Sequence, residues 1–240
     1  MRRLALACGA LLAAARPAWA GPPYVADDPE PTALGHWEVY GFANGSQVSG
    51  QTAGEAGLDI NYGAARDLQL TVVVPAAYDG AGAGMGVVEL GAKYKLVHET
   101  QGSWRPSVAV FPRIFAPTAK ARFASTRANL LLPVWIGKSI GDWTMFGGGG
   151  YQLNPGAENR NFWTGGVALT RSLGDRLSLG GEVYHHTREA DDAAAFTGVD
   201  LGVTFKLSEH WTLMGAGGPG VQNAGREGRQ AFYLALQAVY

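Results

Sequence analysis

The chain has 240 residues, of which 47% are hydrophobic and 16% charged, with 35 glycines, one cysteine and a formal net charge of −1. A charge balance this close to zero gives no support to nucleic-acid binding, and the charged fraction falls well below the ~25% of ordinary soluble domains. Beyond the N-terminal segment no run of ~18 apolar residues occurs, which excludes helical membrane spans.

In chain order, Arg2 and Arg3 precede an apolar stretch over residues 4–15, and Ala18-Trp19-Ala20 supplies a small-x-small cleavage site. Residues 1–20 therefore read as a secretory signal peptide; the consensus around a twin-arginine signal is absent. Cys8, the single cysteine, lies inside this segment without the longer apolar run that lipid attachment needs, so the mature chain carries no disulfide. Residues 21–34, with Pro22-Pro23 and Asp27-Asp28-Pro29-Glu30, read as an extended periplasmic leader, with threading into a barrel lumen as the alternative.

From residue 35 to 240 the pattern predicts an all-β fold, a transmembrane up-and-down antiparallel β-barrel of about 12 strands. Predicted starts fall near His36, Ala53, Leu68, Val87, Arg105, Ala128, Trp143, Phe162, Leu177, Thr197, Trp211 and Arg229. Along these segments apolar and polar residues alternate: Leu68, Leu70, Val72 and Val74 with Gln69 and Thr71, or Val199, Leu201, Val203 and Phe205 with Asp200 and Thr204. Short turns are predicted at 64–67, 137–142, 172–175 and 208–210, and longer loops at 45–51, 79–84, 117–127, 155–161, 188–195 and 219–227. With an even strand number, both barrel ends fall on the short-turn, periplasmic side.

The segment 232–240 alternates regularly up to Tyr240, as expected of a closing strand that pairs with the first and abolishes the open edge. In water the same alternation would bury the apolar face; aromatic placement decides between the two. Trp37, Trp104, Trp143 and Trp211 are predicted to begin strands on the short-turn side, and Tyr62, Tyr94 and Tyr240 to finish them there, forming an interfacial girdle. Trp135 falls on lumen parity and is expected to need a local bulge.

Several stretches resemble a known family. Asp27-Asp28-Pro29-Glu30 followed by Gly35-His36-Trp37-Glu38-Val39 is similar to the leader and first strand of outer-membrane barrels grouped under the meta-pathway of phenol degradation. Residues 58–63, 68–75, 88–95 and Ala116-Pro117-Thr118 are similar to them too, although Ala119-Lys120 stands where a glycine commonly follows. The resemblance implies an outer-membrane location and uptake of aromatic compounds.

Inward parity gathers Glu38, Asp59, Glu89, Lys93, Lys95, Arg113, Glu182, Tyr184, Asp200 and Lys206. Two readings stand: a salt-bridged plug across the lumen, or the lining of a narrow aqueous path, with Gly91 and Gly202 leaving space and Tyr40, Phe111 and Tyr184 suited to an aromatic solute. His185 and His186 point to opposite faces, so they form neither a convergent metal site nor a recognisable catalytic pair. No cofactor signature occurs. The expected partners are outer-membrane lipids and lipopolysaccharide (met by basic loop residues Lys120, Arg122, Arg127, Arg160, Arg226 and Arg229), the barrel-assembly machinery and a small-molecule solute, with no nucleic acid. The leading expectation is a passive outer-membrane channel for small, aromatic or hydrophobic solutes and no enzyme; the alternatives are a lipid-modifying barrel enzyme using the rim histidines and a closed structural barrel.

Overall fold

The computed structural model describes residues 23–240 except 49, 101, 120–122, 124–126, 228 and 229. The expected signal peptide with Cys8, the first leader residues, and Lys120, Arg122 and Arg229 lie outside the described residues.

Strands run in the order β1 (Trp37–Val48), β2 (Gln51–Ala65), β3 (Leu68–Asp79), β4 (Gly82–Met85), β5 (Glu89–Val97), β6 (Ser107–Val110), β7 (Arg113–Phe115), β8 (Asn129–Ile140) and β9 (Trp143–Leu153). They continue with β10 (Phe162–Leu173), β11 (Leu177–His186), β12 (Phe196–Lys206), β13 (Trp211–Gln222) and β14 (Gln230–Val239), with a one-turn helix α1 (Ala224–Glu227) before the last. All pairings are antiparallel, and β1 pairs with β14 from Glu38↔Val239 to Gln47↔Gln230, which closes the barrel. Trp37 and Tyr240 exchange backbone hydrogen bonds of 2.7 and 2.9 Å at the seam. The sheet thus closes on itself without an edge strand exposed to lipid.

Fourteen segments fill twelve positions, because β4 and β5 follow one another along β3, and β6 and β7 along both β5 and β8. Prolines cause both breaks. Pro112 has no N–H to give, so β6 and β7 separate there although their register against β8 is unchanged. Pro75 leaves β3 without a donor opposite residues 86–88, and β5 resumes one residue out of step with β4. The gap is stitched by the loop after β7: Thr118 Oγ1 accepts Val88 N–H at 2.8 Å and donates to Gly86 O at 2.9 Å, and Ala116 N–H donates to Val88 O. The Ala116-Pro117-Thr118 motif acts here, as a repair of the wall.

Starts expected at Leu68, Trp143, Phe162, Leu177 and Trp211 coincide with observed ones. The loops expected at 45–51 and 79–84 are instead mostly strand, β1–β2 turning tightly at residue 50 and β3–β4 at 80–81. Likewise β8 continues to Ile140, leaving only Gly141 and Asp142 as the turn; Gly141 takes φ +57, which a side chain would disfavour. Trp104 does not begin a strand: it is 88% exposed in the turn before β6.

The wall is inverted relative to a water-soluble barrel. Leu70, Val72, Leu90, Ile114, Val134, Val167, Val183, Leu201 and Leu234 are exposed on the outside, while Asn61, Gln69, Thr71, Glu89, Lys93, Arg113, Glu182 and Asp200 are buried inside. An exterior this continuously apolar is suited to lipid.

Candidate functional site: the lumen and its leader

The described leader does not hang free as a periplasmic tail. Pro23, Pro29 and Pro31 keep it extended, and Tyr24, Val25, Ala26, Asp27 and Thr32 are all buried inside the barrel. It enters past β2, where Gly63 has no side chain and Ala33 O lies only 2.0 Å from the position a Cβ would take. The single backbone bridge, Leu34 to Gly63, marks this entry. Beyond it the leader is fastened mainly by side chains.

On the β3–β5–β7 wall the contacts are ionic and polar. Lys93 Nζ donates to Asp27 Oδ1 at 3.0 Å and to Asp28 O at 3.1 Å, with both ion-pair side chains buried. Lys95 pairs with Glu30, whose other oxygen accepts Ser107 Oγ at 2.9 Å. Gln69 Oε1 accepts Thr32 N–H at 2.8 Å, and its amide donates to Asn61 Oδ1 at 2.7 Å. Arg113 closes the wall with a 3.1 Å bond to Glu89 and lies over the Phe111 and Phe115 rings. On the β11–β12 wall, Glu182 accepts the N–H groups of both Val25 and Ala26.

Packing follows the same path. Ala26 meets Phe111 and Trp135, and Val25 meets Tyr184 and Phe196. The spaces expected beside Gly91 and Gly202 are taken: a Cβ on Gly91 would stand 2.7 Å from the Phe111 ring, and one on Gly202 2.5 Å from Tyr24 Oη. Trp135 needs no bulge. Its inward ring follows the unbroken β8–β9 register, where Gly148 opposite, at φ +146, lets Val134 O approach within 2.0 Å of its Cβ position.

Of the remaining expected residues, Glu38 accepts Tyr40 Oη at 2.9 Å and Gln237 Nε2 at 3.3 Å, and Asp59 accepts Asn61 Nδ2 at 2.9 Å. Asp200 is buried at 2% exposure, and neither carboxylate oxygen has a hydrogen-bond partner. Lys206 stays exposed at the short-turn mouth and joins none of these contacts. Outside the lumen, in the turn before β6, Lys138 Nζ and Ser139 N–H donate to Glu99 and hold its carboxyl below the ordinary range.

Towards the long-loop end the lumen becomes aromatic, with the His186 ring 5.6 Å from Phe196 and 6.2 Å from Phe162. His185 instead faces out, 2.9 Å from Thr197 Oγ1. The exterior aromatics Trp37, Tyr62, Tyr94, Trp143, Trp211 and Tyr240 sit at the short-turn end, Trp37 against Tyr62 at 4.5 Å and Tyr240 stacked on His210 at 5.6 Å. The pair of half-buried Tyr151 and exposed Trp163 at the opposite end was not anticipated. Asp27 and Glu30 in the lumen match the threading alternative for the leader, whereas Tyr24 and Thr32 were not anticipated there; the available signal was an acidic, proline-rich segment facing inward lysines.

No curated protein matches the sequence. Among solved structures, the COG4313 outer membrane channel from Pseudomonas putida F1 is similar, with a TM-score of 0.69 at 15% identity over 89% of this chain and 98% of that one. The translocator domain of the autotransporter NalP from Neisseria meningitidis is similar at 0.52, with 8% identity over 86% and 88%. Outer membrane phospholipase A from Escherichia coli scores 0.47, with 10% identity over 87% and 97%. At these identities the first two likenesses speak to fold, that of a closed outer-membrane β-barrel. The model of the family described as Putative MetA-pathway of phenol degradation matches residues 38–237, and the chain belongs to that family.

Proposed function

We propose that the protein is a passive outer-membrane channel for small solutes of apolar or aromatic character, with the leader as its constriction. One observation carries this reading: a lumen lined by charged and amide side chains is crossed by a leader held through side-chain contacts, with strand-like bridging only at Leu34. A barrel that needed only stability would fill its interior from its own wall. Here the wall leaves glycines where the leader lies, and a segment attached this way can yield without opening the barrel. The aromatic long-loop half, with Phe162, His186 and Phe196, suits a solute carrying a ring. The expected sites, from Glu38 to Asp200, become the lining of the path, and the short-turn aromatics its interfacial girdle.

The test is conductance in planar bilayers together with uptake by liposomes of a panel of aromatic acids, phenols and sugars. Deleting residues 23–31 should raise conductance several-fold and speed uptake of ring-bearing solutes above that of sugars of equal size. A barrel that stays silent in both forms, or one that hydrolyses phospholipid, would overturn the reading.

A further inference from the structure

Glu182 on β11 and Asp200 on β12 stand directly opposite one another in register, both on the lumen face and both buried. Opposed residues of antiparallel strands bring their Cβ atoms to about 4.5–5.5 Å, a distance at which like charges repel. Elsewhere in the lumen two buried acids meet a cation, Asp27 with Lys93 and Glu89 with Arg113, while the half-buried Asp59 accepts the Asn61 amide. Among the described residues no Lys, Arg or His side chain pairs with Glu182 or Asp200, and both Asp200 oxygens lack any hydrogen bond. Burying two carboxylates without a countercharge is costly unless something positive joins them.

The surroundings offer a place for it. One step along the same face, Gly180 opposes Gly202, and the Tyr24 hydroxyl lies 2.5 Å from both of their Cβ positions. One step the other way, Tyr184 opposes Gly198, and its ring covers that glycine. The carboxylate pair is thus flanked by two phenol oxygens, one from the leader and one from the wall. Glu182 gives one acceptor contact per oxygen to the leader, leaving further lone pairs on each. Every donor atom in this set is an oxygen, the set preferred by hard cations.

We propose that Glu182 and Asp200 form a cation-binding subsite in the lumen, roofed by Tyr24 of the leader and suited to a hard divalent cation such as Ca²⁺. The ion would neutralise the pair and, through Tyr24 and the Glu182 contacts to Val25 and Ala26, fasten the leader to β11–β12. With two acids rather than a full cage, the site belongs among weak ones, with Kd on the order of 10⁻⁴–10⁻³ M.

The experiment uses the whole mature protein in detergent, titrated with CaCl₂ alone by calorimetry, alongside the rate at which a protease cuts the leader. Saturable one-to-one binding in that range is expected, with Ca²⁺ slowing leader cleavage. Asp200→Asn should weaken binding at least tenfold and remove the protection; Tyr24→Phe, which keeps the ring, should weaken it several-fold. The wild-type titration stands even if Asp200→Asn fails to fold. No saturation up to about 10 mM, well above that range, would overturn the proposal. So would Asp200→Asn binding like the wild type, or an infrared band of a protonated carboxyl that the same variant abolishes while Ca²⁺ leaves it unmoved.

Discussion

The two walls of the lumen hold the same leader by opposite means. On the β5–β7 side, Lys93, Lys95 and Arg113 each meet an acid, and two of those acids, Asp27 and Glu30, belong to the leader. On the β11–β12 side the wall itself is acidic, and it holds the leader by its backbone N–H groups while Asp200 is left without a partner. The difference teaches what each contact costs to break. When the leader leaves the basic wall, a buried ion pair separates and Lys93 stays in the lumen without its countercharge. When it leaves the acidic wall with no cation bound, Glu182 loses two N–H donors and a repulsive pair remains. The basic wall is therefore the latch and the acidic wall the seat.

The largest expected effect comes from breaking the latch. Lys93→Met removes the cation and leaves Asp27 buried alone, a change worth roughly 3–5 kcal/mol against the seated leader. The leader should become protease-sensitive and conductance should rise, while the barrel's own unfolding changes little; a leader as protected as in the wild type would refute the assignment. Gly202→Ala acts on the seat. Its new methyl would fall on the Tyr24 ring, whose Oη and Cζ lie 2.5 and 2.6 Å from that point, so the leader must shift at a cost of about 1–3 kcal/mol. Cleavage rates should place this variant between wild type and Lys93→Met. Asp200→Asn, measured without divalent cations, should have the opposite sign: relief of a facing like-charge pair stabilises the protein by about 0.2–1 kcal/mol. A loss of thermal stability there would mean that Asp200 has a favourable partner after all.

The strands were legible because lipid imposes a period of two on long segments, and residues such as Leu68, Leu70 and Val72 keep it without interruption. Inward parity likewise named Lys93, Glu182 and Asp200. What parity lacks is depth and cross-strand register: Lys206 has the right parity but sits at the mouth, and nothing in the β12 sequence says that Asp200 faces Glu182. The leader's conformation could be read from its prolines, but its destination depends on Asp27 meeting Lys93 and on Tyr24 meeting two glycines far along the chain. Those are tertiary complementarities, and a local pattern does not carry them. The breaks at Pro75 and Pro112 had a visible cause, yet whether a proline ends a strand or only interrupts it depends on what stitches the gap, here Thr118.

The smallest expected effect isolates burial as the reason the latch is strong. Glu99 and Lys138 form the same kind of ammonium–carboxylate contact as Asp27 and Lys93, at the same 3.0 Å, but at the short-turn rim and less buried, with side chains 22% and 13% exposed against 6% and 5%. Water screens such a pair, so its loss costs little. The Glu99 carboxyl is held below its ordinary value chiefly by Lys138, so its contribution is present above the unfolded value of about 4.3 and disappears as pH falls through the folded one. Glu99→Gln should therefore lower thermal stability slightly at neutral pH, less at high salt, and not at all once the pH lies below the folded value, where both forms are neutral. The leader should stay as protected as in the wild type throughout. If Glu99→Gln instead released the leader, or if its effect survived in acid, distance rather than burial would govern these pairs, and the contrast between the two walls would lose its physical basis.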